Sequence, residues 1–175
     1  NGGSDFLQGD EGNDTSNRGS GADRMLGGQG NDTYIVDNQG DSVTEGFNSG
    51  SDTVQSSVSF TFSTGDNLED LTLTGTSDLN GTGNNLDNRI IGNNGVNRLK
   101  GLAGTDTLQG GIGDDVLEGG PGDNDRLEGG AGFDTYIYNN GDGIDQIEDS
   151  DATGKIVFNG GLLQGGISTD GGATY

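Results

Sequence analysis

Gly27-Gly28-Gln29-Gly30-Asn31-Asp32-Thr33-Tyr34-Ile35 is one copy of G-G-x-G-x-D-x-U-x, where U is a large apolar residue, and Gly110-Gly111-Ile112-Gly113-Asp114-Asp115-Val116-Leu117-Glu118 is another. Glycine at positions one, two and four lets the backbone take positive φ and turn tightly. It also leaves carbonyl oxygens free of side-chain cover. The sixth-position Asp points a carboxylate into that turn, and x-U-x is a short strand with U facing inward. A strand so short cannot hold itself, so stacked neighbours must supply its hydrogen bonds and its core.

The phase extends outward from both copies. In the first run the sixth position is Asp5, Asp14, Asp23 and Asp32, and the eighth is Leu7, Ser16, Met25 and Tyr34. Ser16 departs from the apolar rule and marks the weakest turn. In the second run the sixth position is Asn88, Asn97, Asp106, Asp115, Asp125 and Asp134, and the eighth is Ile90, Leu99, Leu108, Leu117, Leu127 and Tyr136. The step from Asp115 to Asp125 is ten, which places one inserted residue around Pro121-Gly122-Asp123-Asn124. Two nonapeptides make one coil, so turns on the same side recur every 18 residues. Asp5 then lies above Asp23, Asp14 above Asp32, Asn97 above Asp115, Asp106 above Asp125, and Asp115 above Asp134. The fold class is all-β: a right-handed parallel β-roll or β-helix solenoid with two repeat blocks.

We divide the chain into a first block at 1–45, a strand-rich spacer continuing the solenoid at 46–79, a second block at 80–137, and a C-terminal capping segment at 138–175. In the spacer Val54, Val58, Phe60 and Phe62 alternate, as do Leu71 and Leu73, which puts one face inward. Strands are expected at Lys155–Phe158 and around Leu162-Leu163. Asn1 falls on position two of a repeat, and Ser168–Tyr175 reads as a cut through a loop. The chain therefore reads as a truncated piece of a longer protein, with that protein's other domains as partners.

Composition points to the ligand. The chain has 38 Gly, 26% hydrophobic residues and a net charge of −22, from 29 Asp and Glu against 7 Lys and Arg. Low hydrophobicity with high net charge marks disorder, but disorder needs no period. Without counter-ions these charges oppose compaction. Each divalent cation cancels two, so on the order of six to ten ions would remove most of the excess. With no Cys and no His, disulfides are excluded and zinc or copper is disfavoured, while hard oxygen ligands abound. Several Ca²⁺ ions are the expected cofactor. Magnesium, which demands a tight octahedron and keeps its water, suits such a cage less well. The acidity argues against nucleic acid, no apolar run reaches the roughly 20 residues of a membrane span, and no positively charged start followed by an apolar stretch marks a signal peptide.

The expected metal ligands are Asp5, Asp14, Asp23, Asp32, Asp52, Asn97, Asp106, Asp115, Asp125, Asp134 and Asp145. Asp52 comes from Ser49-Gly50-Ser51-Asp52-Thr53-Val54, and Asp145 from Asn140-Gly141-Asp142-Gly143-Ile144-Asp145-Gln146-Ile147. Backbone carbonyls would join them near Gly9, Gly12, Gly27, Gly28, Gly30, Gly101, Gly104, Gly110, Gly111, Gly113, Gly119, Gly120, Gly122, Gly129, Gly130 and Gly132. Asn88 and Asn97 lack the charge, so the start of the second block should bind weakly or not at all. Asp114 at position five, Asp10-Glu11 and Glu69-Asp70 read as solvated.

Residues 1–37 and 92–137 resemble the repeats-in-toxin (RTX), or haemolysin-type, calcium-binding repeats. The resemblance implies a β-roll with calcium between turns, and type I export with folding in calcium-rich surroundings. It implies a secreted, extracellular or cell-surface location and a C-terminal, uncleaved secretion signal, which Gly171–Tyr175 does not show. It also admits a secreted hydrolase or toxin as the parent protein. No catalytic residues are expected here, since a His base, a Cys nucleophile and a G-x-S-x-G elbow are all missing. Asp149-Ser150-Asp151-Ala152-Thr153-Gly154 begins like an EF-hand loop, but Gly160 stands where the bidentate Glu belongs. The mixed Thr, Arg, Phe and Val at position seven argues against an ice-binding array. A surface-layer or adhesin segment stays open, and would show calcium-dependent self-association.

Overall fold

The computed structural model describes residues 2–17, 19–47, 49–122 and 124–162. Asp123 of the insertion, Leu163 and the expected loop at Ser168–Tyr175 lie outside them, as does Gly171–Tyr175. Among the described residues there are strands and no helix. In chain order these are β1 (Phe6–Glu11), β2 (Thr15–Asn17), β3 (Arg24–Gln29), β4 (Thr33–Val36), β5 (Ser42–Thr44), β6 (Thr53–Ser56), β7 (Phe60–Thr61), β8 (Asp70–Leu73), β9 (Asn80–Thr82), β10 (Arg89–Ile91), β11 (Arg98–Lys100), β12 (Thr107–Ile112), β13 (Val116–Glu118), β14 (Arg126–Ala131), β15 (Asp134–Tyr138), β16 (Gln146–Glu148), β17 (Gly154–Phe158) and β18 (Gly161–Leu162).

Alternate strands fall on opposite faces of a β-solenoid of about 8 turns. One face is a single sheet running β2, β4, β6, β8, β10, β12, β14, β16. The other is split into β1-β3-β5 and a longer sheet from β7 to β17, closed by β18. All pairings are parallel except β17 with β18. The expected strand at Lys155–Phe158 is thus present as β17, and that around Leu162 as β18.

The interior is a stack of eighth-position side chains. Ser16, Tyr34, Val54, Leu71, Ile90, Leu108, Leu127 and Ile147 align rung on rung along one sheet. Facing them are Leu7, Met25 and Val43, then Gly81, Leu99, Leu117, Tyr136 and Ile156. Most are wholly buried, each apolar one contributing roughly 1.5–3 kcal/mol relative to exposure. Gly81 fits because Leu71, Ile90 and Leu99 already fill its place; a Cβ there would meet their methyls at 3.1–3.3 Å.

Residues 46–79 continue the same ladder. Tyr34 pairs with Val54, Val54 with Leu71, and Leu71 with Ile90. Those coils do not keep the repeat's length, so their strands pair in register although no nonapeptide phase runs through them. Phe62, Leu68 and Leu73 are buried, while Val58 and Phe60 are half-buried.

Two residues other than glycine hold left-handed backbone at position two. Asp10 and Leu102 hold φ of 89° and 86°, where Gly28, Gly111, Gly120 and Gly130 sit in the equivalent turns. Left-handed backbone costs a residue with a Cβ about 1–2 kcal/mol. Leu102→Gly is therefore expected to stabilise the folded protein by about 0.5–1 kcal/mol, after the extra entropy that glycine loses on folding. A thermal melt in saturating calcium checks this; an unchanged or lower midpoint contradicts it.

Candidate metal sites along the turn columns

The sixth-position side chains stack as the 18-residue spacing requires. The amide of Asp5 donates to Oδ1 of Asp23 at 2.7 Å, and that of Asp14 to Oδ1 of Asp32 at 2.8 Å. In the second run Asn97 N–H donates to Asp115 at 2.7 Å, Asp106 to Asp125 at 2.8 Å, and Asp115 to Asp134 at 2.9 Å. The ladder survives the inserted residue, where Asn124 takes a φ of 71°. It also runs past the repeats: Asp23 N–H donates to Asp41, Asp32 to Asp52, Asp52 to Glu69, and Asp125 to Asp145. Asp41 and Glu69 were not among the expected ligands. Asp41 lies 18 residues after Asp23, which is the signal that could have found it.

Asp32, Asp52, Asp106, Asp115, Asp125 and Asp134 each use Oδ1 in the ladder. Oδ2 of Asp14, Asp32, Asp52, Asp106, Asp115, Asp125 and Asp134 is buried with no hydrogen-bond partner. Leaving a buried charged oxygen unpaired is costly. Seven in register along two columns suit a cation as their partner.

The position-one glycines line the same space. A Cβ on Gly101 would meet Oδ2 of Asp106 and, at 2.7 Å, the carbonyl of Gly119; one on Gly110 would meet Oδ2 of Asp115 and, at 2.5 Å, the carbonyl of Gly129. Gly9 has the same relation to Asp14 Oδ2 and the Gly27 carbonyl. These glycines do not have positive φ, unlike Gly28, Gly30, Gly111 and Gly113. The expectation that all three glycines of the motif serve left-handed backbone is thus corrected. Position one is glycine because a carboxylate and a stacked carbonyl occupy the place of its Cβ.

The asparagine turns differ. Asn97 accepts from Asn93 N–H at 2.8 Å and donates to the carbonyl of Leu79 at 3.1 Å and to Asn93 Oδ1 at 2.9 Å. Asn88 accepts from Asn84 N–H at 2.7 Å and donates to the carbonyl of Leu68 at 3.0 Å. An amide supplies its own donors, so these turns close without a cation. The unpartnered oxygens begin where Asp replaces Asn.

A second ladder runs outside the first. Position-five side chains cap stacked amides: Asn13 accepts from Asn31 N–H at 2.8 Å, Asp87 from Thr105 at 2.8 Å, and Asp114 from Phe133 at 2.7 Å. Asp114 is exposed, as are Asp10 and Glu11. The reading of Glu69-Asp70 as solvated is corrected, since both are half-buried and Glu69 Oε2 accepts from Asp52 N–H at 2.9 Å. Asp149 and Asp151 form a local turn, accepting from Ala152 and Thr153 amides at 3.0 Å.

Burial holds the carboxyls of Asp52, Asp106, Asp115, Asp125 and Asp134 above their usual range, against the lowering effect of the ladder amides. Asp106 is pushed up to about 7, and Asp52 and Asp115 to about 6, with neighbouring carboxylates adding to the rise. In calcium-free protein these folded-state values exceed the ordinary 3.8. The folded chain then binds protons that the unfolded chain releases, so this stabilising contribution is full below about pH 4 and lost as pH rises through 6 to 7. Acidifying chelator-treated protein from about pH 8 to 5 is expected to raise the folded fraction. Circular dichroism in chelator checks it, and loss of β signal over that interval contradicts it.

Oxygen-only ligands, unpartnered carboxylate oxygens and carbonyls beside them suit a hard cation that accepts six to eight oxygens, as calcium does. A family model, the RTX calcium-binding nonapeptide repeat, matches residues 1–34, 19–43, 81–117, 91–124 and 101–136, more than half of the chain. The chain belongs to the RTX calcium-binding nonapeptide repeat family. The RTX repeats account for calcium as ligand and for the β-roll. They are a calcium-binding module, not a catalytic one. No curated protein matches the chain. Among the described residues no helix is long and apolar enough to cross a membrane.

Proposed function

We propose that this chain is the calcium-binding β-roll module of a secreted protein, which folds as it takes up several calcium ions after export and so supports an adjoining domain. The observation that carries the reading is the file of buried, unpartnered Asp Oδ2 atoms, each beside a position-one glycine. Asp14, Asp32, Asp52, Asp106, Asp115, Asp125 and Asp134 are the proposed carboxylate ligands. Asp5, Asp23 and Asp145 extend their columns, and the glycine carbonyls complete the shells. Asn97 contributes least, because its amide is already engaged. Before calcium, mutual repulsion of the carboxylates keeps the chain open for passage; calcium in the surroundings outside the cell then turns repulsion into attraction.

A segment of a surface-layer or adhesin protein is the second reading. It is favoured by the large apolar side chains exposed along the roll, Phe6, Phe47, Ile112, Phe133 and Ile144 among them. Sedimentation velocity separates the two. The module is expected to compact on calcium addition and stay monomeric. Calcium-dependent oligomers would instead support the assembling segment, and an unchanged sedimentation coefficient would contradict both.

A further inference from the structure

The family match stops at residue 43 and resumes at 81, yet just past its first limit Glu45 and Asp52 lie buried against Asp32 of the last matched turn. Asp32, Glu45 and Asp52 are 2%, 5% and 0% exposed, and each offers an oxygen within 4.8 Å of the others'. Glu45 holds a telling place in the register. Met25 pairs with Val43 and Leu26 with Thr44, so Glu45 follows Gly27 one coil on, 18 residues later, as Gly27 follows Gly9. Where the repeats put a glycine and a carbonyl, this coil puts a third carboxylate.

Glu45 is anchored. Its Oε1 accepts from Gly27 N–H at 2.9 Å, its Oε2 from Gly46 N–H at 3.2 Å, and its carbonyl from Asn67 Nδ2 at 3.3 Å. The other two are not satisfied: Oδ2 of Asp32 and Oδ2 of Asp52 have no partner, and neither does the hydroxyl of Tyr34, which crowds Gly27 together with Asp32 Oδ2. The matching tyrosine of the second run behaves otherwise. Tyr136 Oη accepts from Gly129 N–H at 3.0 Å and donates to Asp149 at 3.2 Å. The ion pairs of the described residues, made by Arg98, Lys100 and Arg126, do not reach the group.

We propose that Glu45, which no repeat position supplies, joins Asp32 and Asp52 as the third carboxylate of a divalent-cation site at the end of the first repeat run, with Tyr34 beside it. It takes an oxygen-seeking ion of calcium's class. Because Glu45 follows β5 and Asp52 precedes β6, its occupation ties the end of the first repeat run to the coils that follow. The ion's identity as calcium rests on the function proposed above; the three-carboxylate site does not.

The test counts bound calcium on the full chain by equilibrium dialysis. Glu45→Gln keeps an oxygen for the Gly27 amide but removes the charge, and Asp52→Asn does the same for the Asp32 amide. Each variant is expected to bind one ion fewer than the parent chain, and the double variant also only one fewer, since both serve a single site. An unchanged count in folded Glu45→Gln would show that the carboxylate merely caps two amides and would overturn the site. Losses that add in the double variant would overturn it too. If Glu45→Gln does not fold, Asp52→Asn is read with terbium: tyrosine-sensitised emission should lose the component that Tyr34→Phe also loses, and retention of that component overturns the proposal. Asp115→Ala serves as comparator. If it too leaves the count unchanged, the repeat-site reading fails separately.

Discussion

Gly110→Ala should weaken calcium-dependent folding of the second repeat run by about 3 kcal/mol or more. One methyl group carries this effect. It would sit against Oδ2 of Asp115 and at 2.5 Å from the Gly129 carbonyl, the two oxygens proposed to face the ion, and Asp115 is pinned in the ladder through its Oδ1 and its own amide. Overpacking alone costs about 1–3 kcal/mol, and the displaced ion leaves buried carboxylates uncompensated. Gly3→Ala is the control, because nothing lies within 4 Å of its Cβ and its backbone is not left-handed. The folding midpoint in a calcium titration should move by at least an order of magnitude for Gly110→Ala and hardly at all for Gly3→Ala. Equal midpoints would show that position-one glycine has no part in holding calcium.

The second large effect belongs to Asp115→Ala. Asp115 is the middle of its column: its Oδ1 receives the Asn97 amide, its own amide reaches Asp134, and its Oδ2 faces inward unpartnered. Removing it should weaken two adjacent calcium sites and cost about 3–5 kcal/mol in calcium, the scale for unpairing buried charge. Asp114→Ala, next door, removes only an exposed acceptor for Phe133 N–H and should cost no more than about 1.5 kcal/mol. Unchanged calcium stoichiometry and midpoint in Asp115→Ala would refute the pairing of turns.

Much of this architecture was legible in residue order alone. Leu99, Leu108, Leu117 and Leu127 sit two places after their Asn or Asp, and all four are core. The spacing of 18 named the stacked pairs, because a solenoid converts sequence period directly into vertical distance. What stayed hidden was whatever depends on contact rather than period. Glu45 follows Gly27 by one coil, but in sequence it stands among residues with no repeat phase. Glu69 looked solvated beside Asp70 because no pattern placed it in the carboxylate column. Position-one glycine carries the same letter as positions two and four, and only the approach of Asp Oδ2 separates its role from theirs. The coils at 46–79 are legible as alternation in Val54, Leu71 and Leu73, yet their unequal lengths conceal which residues pair.

In the function proposed above, calcium fills the columns of aspartate oxygens and the fold depends on it. Far-UV circular dichroism of the chain, titrated with calcium from a chelator-treated start at neutral pH, tests it most directly, with magnesium as control. A cooperative gain of β signal is expected with calcium, and little with magnesium at the same concentration. A chain already fully β-folded in chelator, and unmoved by calcium, would contradict it.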